Sequence, residues 1–309
     1  MIILVLTSRN YKTSSFINQI HLKMKNLFRL FIVFTFVFGV QSYSQTKSSK
    51  LENSLLWEVS GNGLSKSSYL YGTIHMICGE DYFLSAKTRK AFEGSDKLIL
   101  EINFTDPKEM SDVQQLAMGK EPLSKKLTPE QLSKLDAILK KTAGMNVHQV
   151  DAFSLMTVMS LITMKTFGCN DLKFYEMEFI EQAKKRNIPV EGLETVKSQF
   201  AILENAYSNS EMIDMLEDST QDDTNKLVAS YKAENLEEVY AGATDEKVTT
   251  EKAKKVILDD RNSNWAKVMP ELMKKESVFF AVGSAHLGGE AGVINLLRKA
   301  GYSVKPILK

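Results

Sequence analysis

Two histidines, His75 and His286, stand in matching surroundings. Each lies three residues after a glycine: Gly72 in Tyr69-Leu70-Tyr71-Gly72-Thr73-Ile74-His75, and Gly283 in Phe279-Phe280-Ala281-Val282-Gly283-Ser284-Ala285-His286. A glycine there lets the backbone turn sharply or approach another group closely as an apolar strand ends, so the imidazole points across the strand tips. A single Gly-x-x-His is a weak signal. Two copies, each read as ending an apolar strand before an amphipathic helix, point to one site fed by both halves of the chain. Of the other two histidines, His21 precedes the expected mature protein, and His148 stands alone at a helix start as an exposed or capping residue.

Carboxylates supply the second ingredient. Glu101 follows Lys97-Leu98-Ile99-Leu100 and is expected near the end of a strand beside the first motif; Glu194, in Val190-Glu191-Gly192-Leu193-Glu194, is expected to end another. Two imidazoles with one or two carboxylates form a nitrogen and oxygen site suited to Mn, Fe, Co or Zn, with positions open for water. Such a metal lowers the pKa of bound water and polarises a carbonyl. Arg261 and Asn262 belong to a charged helical stretch, where an arginine is ordinarily solvated. If that helix faces the site, Arg261 could bind a substrate carboxylate and Asn262 could polarise an amide. Ser284 precedes His286 by two residues and reads as a supporting donor, because neighbouring loop positions seldom align as a nucleophile and its base. The sequence contains no His-Glu-x-x-His, phosphate-binding Gly-x-x-x-x-Gly-Lys or Gly-x-Ser-x-Gly motif.

The elements that must position these groups alternate. Leu55–Gly63 and Ser67–Thr73 read as a hairpin, followed by a helix stopped at Gly94 and a β-rich run, Asp96–Phe104. Phe174–Asn187 gives a helix before the strand ending at Glu194. Near the C-terminus the order strand, helix, strand returns in Ser277–Ser284, Gly289–Gly301 and Tyr302–Leu308. This is an α/β pattern, with functional groups expected at the carboxyl ends of strands. Helical insertions are expected at about 108–168 and 196–275. The first contains a helix with Thr128 as cap, Pro129 at its first position, Gln131 as capping-box partner and Gly144 as its stop. Met156, Met159 and Met164 read as core filling.

Residues 24–44 have the pattern of a secretory signal peptide: Lys25 and Arg29, an apolar run from Phe31 to Val40, then Ser42 and Ser44 before Gln45. Residues 1–23 read as an upstream extension, with Met24 the expected start, 45–54 as a linker and 55–309 as a single domain. Export to the periplasm or beyond the cell follows, with no stable membrane anchor after cleavage. In an oxidising compartment Cys78 and Cys169 are either two buried thiols or one bridge. The net charge of +1 gives no electrostatic reason to expect nucleic acid as a partner.

Taken in order, "YLYGTIHM", "LILEINF", "YEMEFIEQAKKRNIPVEGLET", "LDDRNSNWA" and "FFAVGSAHLGGEAGVINLLRKAGYSVKPI" resemble the TraB/GumN family over roughly residues 50–309. The resemblance implies an erythromycin esterase/ChaN-like α/β fold, with a central mixed sheet of two pseudo-repeated strand-helix-strand halves and helical insertions. It implies an activity like that of Tiki, an animal member that is a membrane-associated metalloprotease trimming Wnt amino termini with Mn or Co preferred. By that likeness His75 and His286 are metal ligands or their immediate partners, and Glu101 is a ligand or general base. Glu176, Glu194, Arg261 and Asn262 occupy further family positions. The expected function is thus an exported metal-dependent hydrolase trimming peptide or protein termini, with Mn or Co preferred and Zn admitted. A family name does not establish an activity. The competing expectations are a periplasmic binding protein for peptide, pheromone or haem without turnover, and an esterase or lactone hydrolase.

Overall fold

The computed structural model describes residues 51–246 and 249–308. The upstream extension, the signal peptide and the linker as far as residue 50 lie outside the described residues. The chain begins with β1 (Leu56–Ser60), β2 (Ser68–Thr73), β3 (Met76–Cys78), α1 (Ala86–Glu93) and β4 (Lys97–Ile102). A helical stretch follows: α2 (Pro107–Ala117), α3 (Leu123–Lys126), α4 (Pro129–Ala143) and α5 (Leu155–Thr166). Next come β5 (Leu172–Phe174), α6 (Tyr175–Arg186) and β6 (Val190–Glu194), then a second helical stretch: α7 (Val196–Ala206), α8 (Asn209–Asp218), α9 (Gln221–Lys232), α10 (Leu236–Ala243), α11 (Glu251–Lys254), a π turn (Lys255–Asp259) and α12 (Asp260–Met273). β7 (Val278–Gly283), a 3-10 turn (Ser284–His286), α13 (Val293–Lys299) and β8 (Ser303–Pro306) complete it.

Six strands form a mixed sheet in the order β6-β4-β7-β2-β1-β8. β6, β4, β7 and β2 pair in parallel, while β1 runs antiparallel to both its neighbours. The centre falls on β7 because its residues are buried throughout. Phe279 and Ala281 join Tyr71, Leu98 and Leu100 in the core on one face; Val278, Phe280 and Val282 join Trp57, Leu70 and Ile99 on the other. Such a two-sided apolar run suits a strand with helices over both faces. Phe92 of α1 and Phe179 of α6 close the first face, and Trp265 and Met269 of α12 with Ile294 and Leu297 of α13 close the second. Full burial of a phenylalanine such as Phe279 or Phe280 contributes about 1.5–3 kcal/mol. The insertions build a third core from residues such as Leu135, Ile162, Leu203 and Ile213, and Met156 and Met159 fill it.

Local expectations for α4 are met: Thr128 Oγ1 accepts from the Gln131 amide, the Gln131 side chain accepts from the Thr128 amide, and Gly144 ends the helix at φ 63°. Three features differ from the sequence reading. β4 lies beside β7 and β6, so Glu101 adjoins the strand of the second motif and not the first. The first motif leads into β3, which pairs with β5 in a separate two-stranded ribbon, before any helix begins. The last linker residues are packed, with Leu51 in the core of one sheet face and the Ser54 hydroxyl bonded to the Leu56 and Ile307 carbonyls. Cys78 and Cys169 are bonded to each other.

Candidate functional site

The carboxyl ends of the parallel strands carry the polar residues singled out in the sequence. β2 and β7 run in register from Tyr69 opposite Phe279 to Thr73 opposite Gly283, so the two motifs leave the sheet side by side. Gly72 permits this approach: a Cβ there would lie 2.9 Å from Ser284 Cα and Cβ. Glu101 comes from the end of β4, and Glu194 closes β6 opposite Ile102. Arg261 and Asn262 descend from the first turn of α12, and Glu176 lies in the first turn of α6. His75, Glu101, Glu176, Arg261, Asn262, Ser284 and His286 are all buried.

Glu101 is the hub. Its Oε1 accepts the Gly283 amide at 2.7 Å and lies 3.8 Å from His75 Nε2 and 3.9 Å from His286 Nε2. Its Oε2 accepts from Gln199 Nε2 at 2.8 Å and from Arg261 Nη2. Burial alone would push this carboxyl up, but the charges of Arg261 and His75 and the Gly283 amide outweigh it and hold the group well below the usual carboxylate range.

Each imidazole is held at Nδ1. His75 Nδ1 donates to Glu176 Oε1 at 2.7 Å, the same oxygen to which the Thr73 hydroxyl donates at 2.8 Å. Burial would lower the His75 pKa, but the charge and hydrogen bond of Glu176, with Glu101 behind them, raise it above the ordinary histidine value. His286 Nδ1 donates to Asn262 Oδ1 at 2.6 Å; the orientation is set because Asn262 Nδ2 donates to the Ala291 carbonyl. Its Nε2 accepts from Arg261 Nη1 at 3.0 Å. Burial, reinforced by Arg261, keeps the His286 pKa well below the ordinary value. The contact between His286 and Glu101 is therefore not an ion pair.

Arg261 has no donor left for a substrate. Its five N–H groups reach Glu194 through Nε, the Ile257 carbonyl and His286 through Nη1, and Glu101 and Glu194 through Nη2. The π turn, in which backbone pairing is shifted by one residue, places Ile257 to accept one of them. Trp265, one turn on, donates to Glu194, lies under the guanidinium at 4.9 Å and packs against the His286 ring at 4.4 Å. The substrate-binding part that the sequence offered Arg261 is thus replaced by an orienting one, and Asn262 orients His286 where an amide-polarising part was expected. The sequence reading did not find Gln199 or Thr73. Thr73 lies inside the first motif, while Gln199 sits one turn into the helix after Glu194, a position marked by no motif. Ser284 Oγ and Glu176 Oε2 are buried without a hydrogen-bond partner among the described residues.

The donor set fits a divalent cation in kind. Two imidazoles anchored at Nδ1 to oxygen acceptors present Nε2 to one carboxylate oxygen, as in metal-bound histidines. Two carboxyl groups, Glu101 and Glu194, flank one guanidinium, Glu176 pairs with His75, and Glu176 Oε2 has no hydrogen-bond partner among the described residues. As the side chains stand, no group of three His, Cys, Asp or Glu among the described residues has ligand geometry. The His286 nitrogen faces Arg261.

A profile of the TraB/PrgY/gumN family matches residues 55–306, and the chain belongs to that family. Among curated proteins it is similar to Metalloprotease TIKI1 of Xenopus tropicalis, 23% identical over 319 residues that cover 84% of this chain and 62% of that protein. TIKI2 of the same species is 23% identical over 84% of this chain and 61% of its own length, and TIKI1 of Danio rerio is 23% identical over 82% and 63%. The chain spans about three fifths of the length of these relatives.

Proposed function

We propose that this protein is an exported, metal-dependent hydrolase that trims peptide or protein termini. The observation that carries the reading is the convergence of His75, His286 and Glu101 from three strand ends, with both imidazoles anchored at Nδ1, in a chain similar to metalloproteases. His75 Nε2 and Glu101 Oε1 would hold the ion, and His286 Nε2 would join them once the Arg261 N–H that it accepts is turned away, with Mn or Co preferred and Zn admitted. A bound divalent ion supplies Lewis acidity toward water and a carbonyl oxygen. The protein's own residues do the rest. Glu176 and Asn262 fix the two rings. Arg261 keeps Glu101 ionised, which suits it to hold a cation. Ser284 Oγ is a spare polar group of the second motif, buried without a hydrogen-bond partner among the described residues. Export is supported by the leader pattern of residues 24–44 and by the bond between Cys78 and Cys169, which suits an oxidising compartment. No described helix is long and apolar enough to cross a membrane.

Calorimetry with Mn, Co and Zn tests the site, followed by mass spectrometry of a diverse peptide library incubated with the metal-loaded protein. One ion per chain is expected, with affinity at least about 10-fold weaker in His75→Ala and in His286→Ala. Metal binding without cleavage of any peptide would turn the reading toward a binding protein. Affinity unchanged in both folded variants would remove the metal centre.

A further inference from the structure

His75 and Glu176 meet through a structure that stands apart from the main sheet. β3 begins one residue after His75, and β5 ends two residues before Glu176. The two strands pair antiparallel with Met76 opposite Phe174, Ile77 opposite Lys173 and Cys78 opposite Leu172. The Tyr175 amide donates to the His75 carbonyl at 2.9 Å, which carries the ladder one rung further, onto the motif itself. At the other end the Gly79 amide donates to the Asp171 carbonyl at 2.7 Å, and the Cys78–Cys169 bond closes the ribbon.

The ribbon's own ladder is short, and Met76, Ile77 and Phe174 also pack into the core of the first sheet face. Three residues per strand make a ladder that is marginal by itself in water. His75 also takes φ 59°, a left-handed conformation that costs a residue with a side chain on the order of 1–2 kcal/mol. The ring is held there by its contacts with Glu176 and Thr73, and Glu176 is delivered by the ribbon's second strand. His286 has no such dependence: its turn follows β7 directly, and its anchor Asn262 comes from α12.

We propose that Cys78 and Cys169 are positioning residues of the site, their bond pinning the ribbon that keeps His75 Nδ1 on Glu176 while His286 stays anchored independently. The functional importance of this device rests on the reading of His75 as a working group, but its test requires neither metal nor turnover. Nitrogen-15 NMR of the full chain should show two slowly exchanging imidazole Nδ1–H resonances, assigned by their loss in His75→Gln and His286→Gln. A dithiol then delivers two electrons and two protons to the bond, giving two thiols as the reductant closes to its own disulfide. On reduction the His75 resonance should vanish or exchange at least 10-fold faster, with the His286 resonance retained. The Cys78→Ala/Cys169→Ala double variant should behave in the same way without reductant. Retention of both resonances would overturn the proposal, and so would their joint loss, which would make the bond a staple of the whole fold. Mn and Co calorimetry on the two redox states separates the two ideas. Selective loss of the His75 resonance with no metal bound in either state would leave the positioning role standing and defeat the metal reading.

Discussion

Gly72-Thr73-Ile74-His75 and Gly283-Ser284-Ala285-His286 leave adjoining parallel strands, yet the two imidazoles they deliver are electrostatically opposite. His75 emerges with a left-handed backbone, enters a stapled ribbon and donates Nδ1 to a carboxylate, which favours the imidazolium. His286 follows in a 3-10 turn, donates Nδ1 to an amide oxygen and receives an arginine N–H at Nε2, which favours the neutral ring. The same four-residue pattern thus gives one basic and one suppressed imidazole on either side of Glu101. The difference lies in the partners: Glu176 at His75 Nδ1 against Asn262 at His286 Nδ1, and an Arg261 N–H at His286 Nε2.

Removing Arg261 should erase most of that contrast. Arg261→Met leaves Glu101 and Glu194 buried without their cation, and a loss of about 3–5 kcal/mol is expected in urea unfolding. In the protein that remains folded, the His286 proton affinity should rise toward that of His75, measured by NMR titration. A stability change within about 0.5 kcal/mol would mean that the guanidinium is not the centre of the network.

The partners can also be exchanged. Glu176→Gln should lower the His75 pKa, and Asn262→Asp should raise that of His286, each change being of the order of one unit and so about 1.4 kcal/mol between protonation states. If Glu176→Gln leaves the His75 titration unmoved, burial and Glu101 set it and the comparison fails. Asn262→Ala should cost about 1–3 kcal/mol, because it leaves a buried ring N–H without an acceptor.

Stability of the metal-free protein against pH separates the two rings by sign. The His286 pKa is depressed in the folded state, so its contribution is present above the ordinary value of 6.5 and is lost as pH falls through that value, where only the unfolded chain takes the proton. The His75 pKa is raised, so its contribution is present below 6.5 and is lost as pH rises through the folded value. Between pH about 8 and about 5, His286→Gln should therefore flatten the loss of stability on acidification, and His75→Gln should steepen it. Equal slopes in the two variants would contradict opposite environments. The smallest effect is expected of Thr73→Val, about 0.5–1.5 kcal/mol by unfolding, since Glu176 Oε1 keeps His75 as its other donor.

Much of the framework was legible because it is written in local terms. The two-sided apolar run of β7, the capping box of α4 and the paired Gly-x-x-His motifs depend on residues within a few positions of one another. The roles of Arg261 and Asn262 were not legible. A guanidinium on a charged helix looks solvated until α12 is laid against the strand ends and all its donors are taken up. The ribbon was missed for a similar reason: three-residue strands carry too little alternation to be recognised, and pairing between segments nearly 100 residues apart leaves no periodic mark.

The sequence by itself determined that strands would end near His75, Glu101, Glu194 and His286, because hydrophobic periodicity and glycine placement act over short distances. Only the tertiary structure decided which of those groups touch, which imidazole has a carboxylate and which an arginine, and that Cys78 joins Cys169. Proton affinity and orientation depend on charges and hydrogen-bond partners a few ångströms away in space, and those neighbours come from parts of the chain that the order of residues keeps far apart.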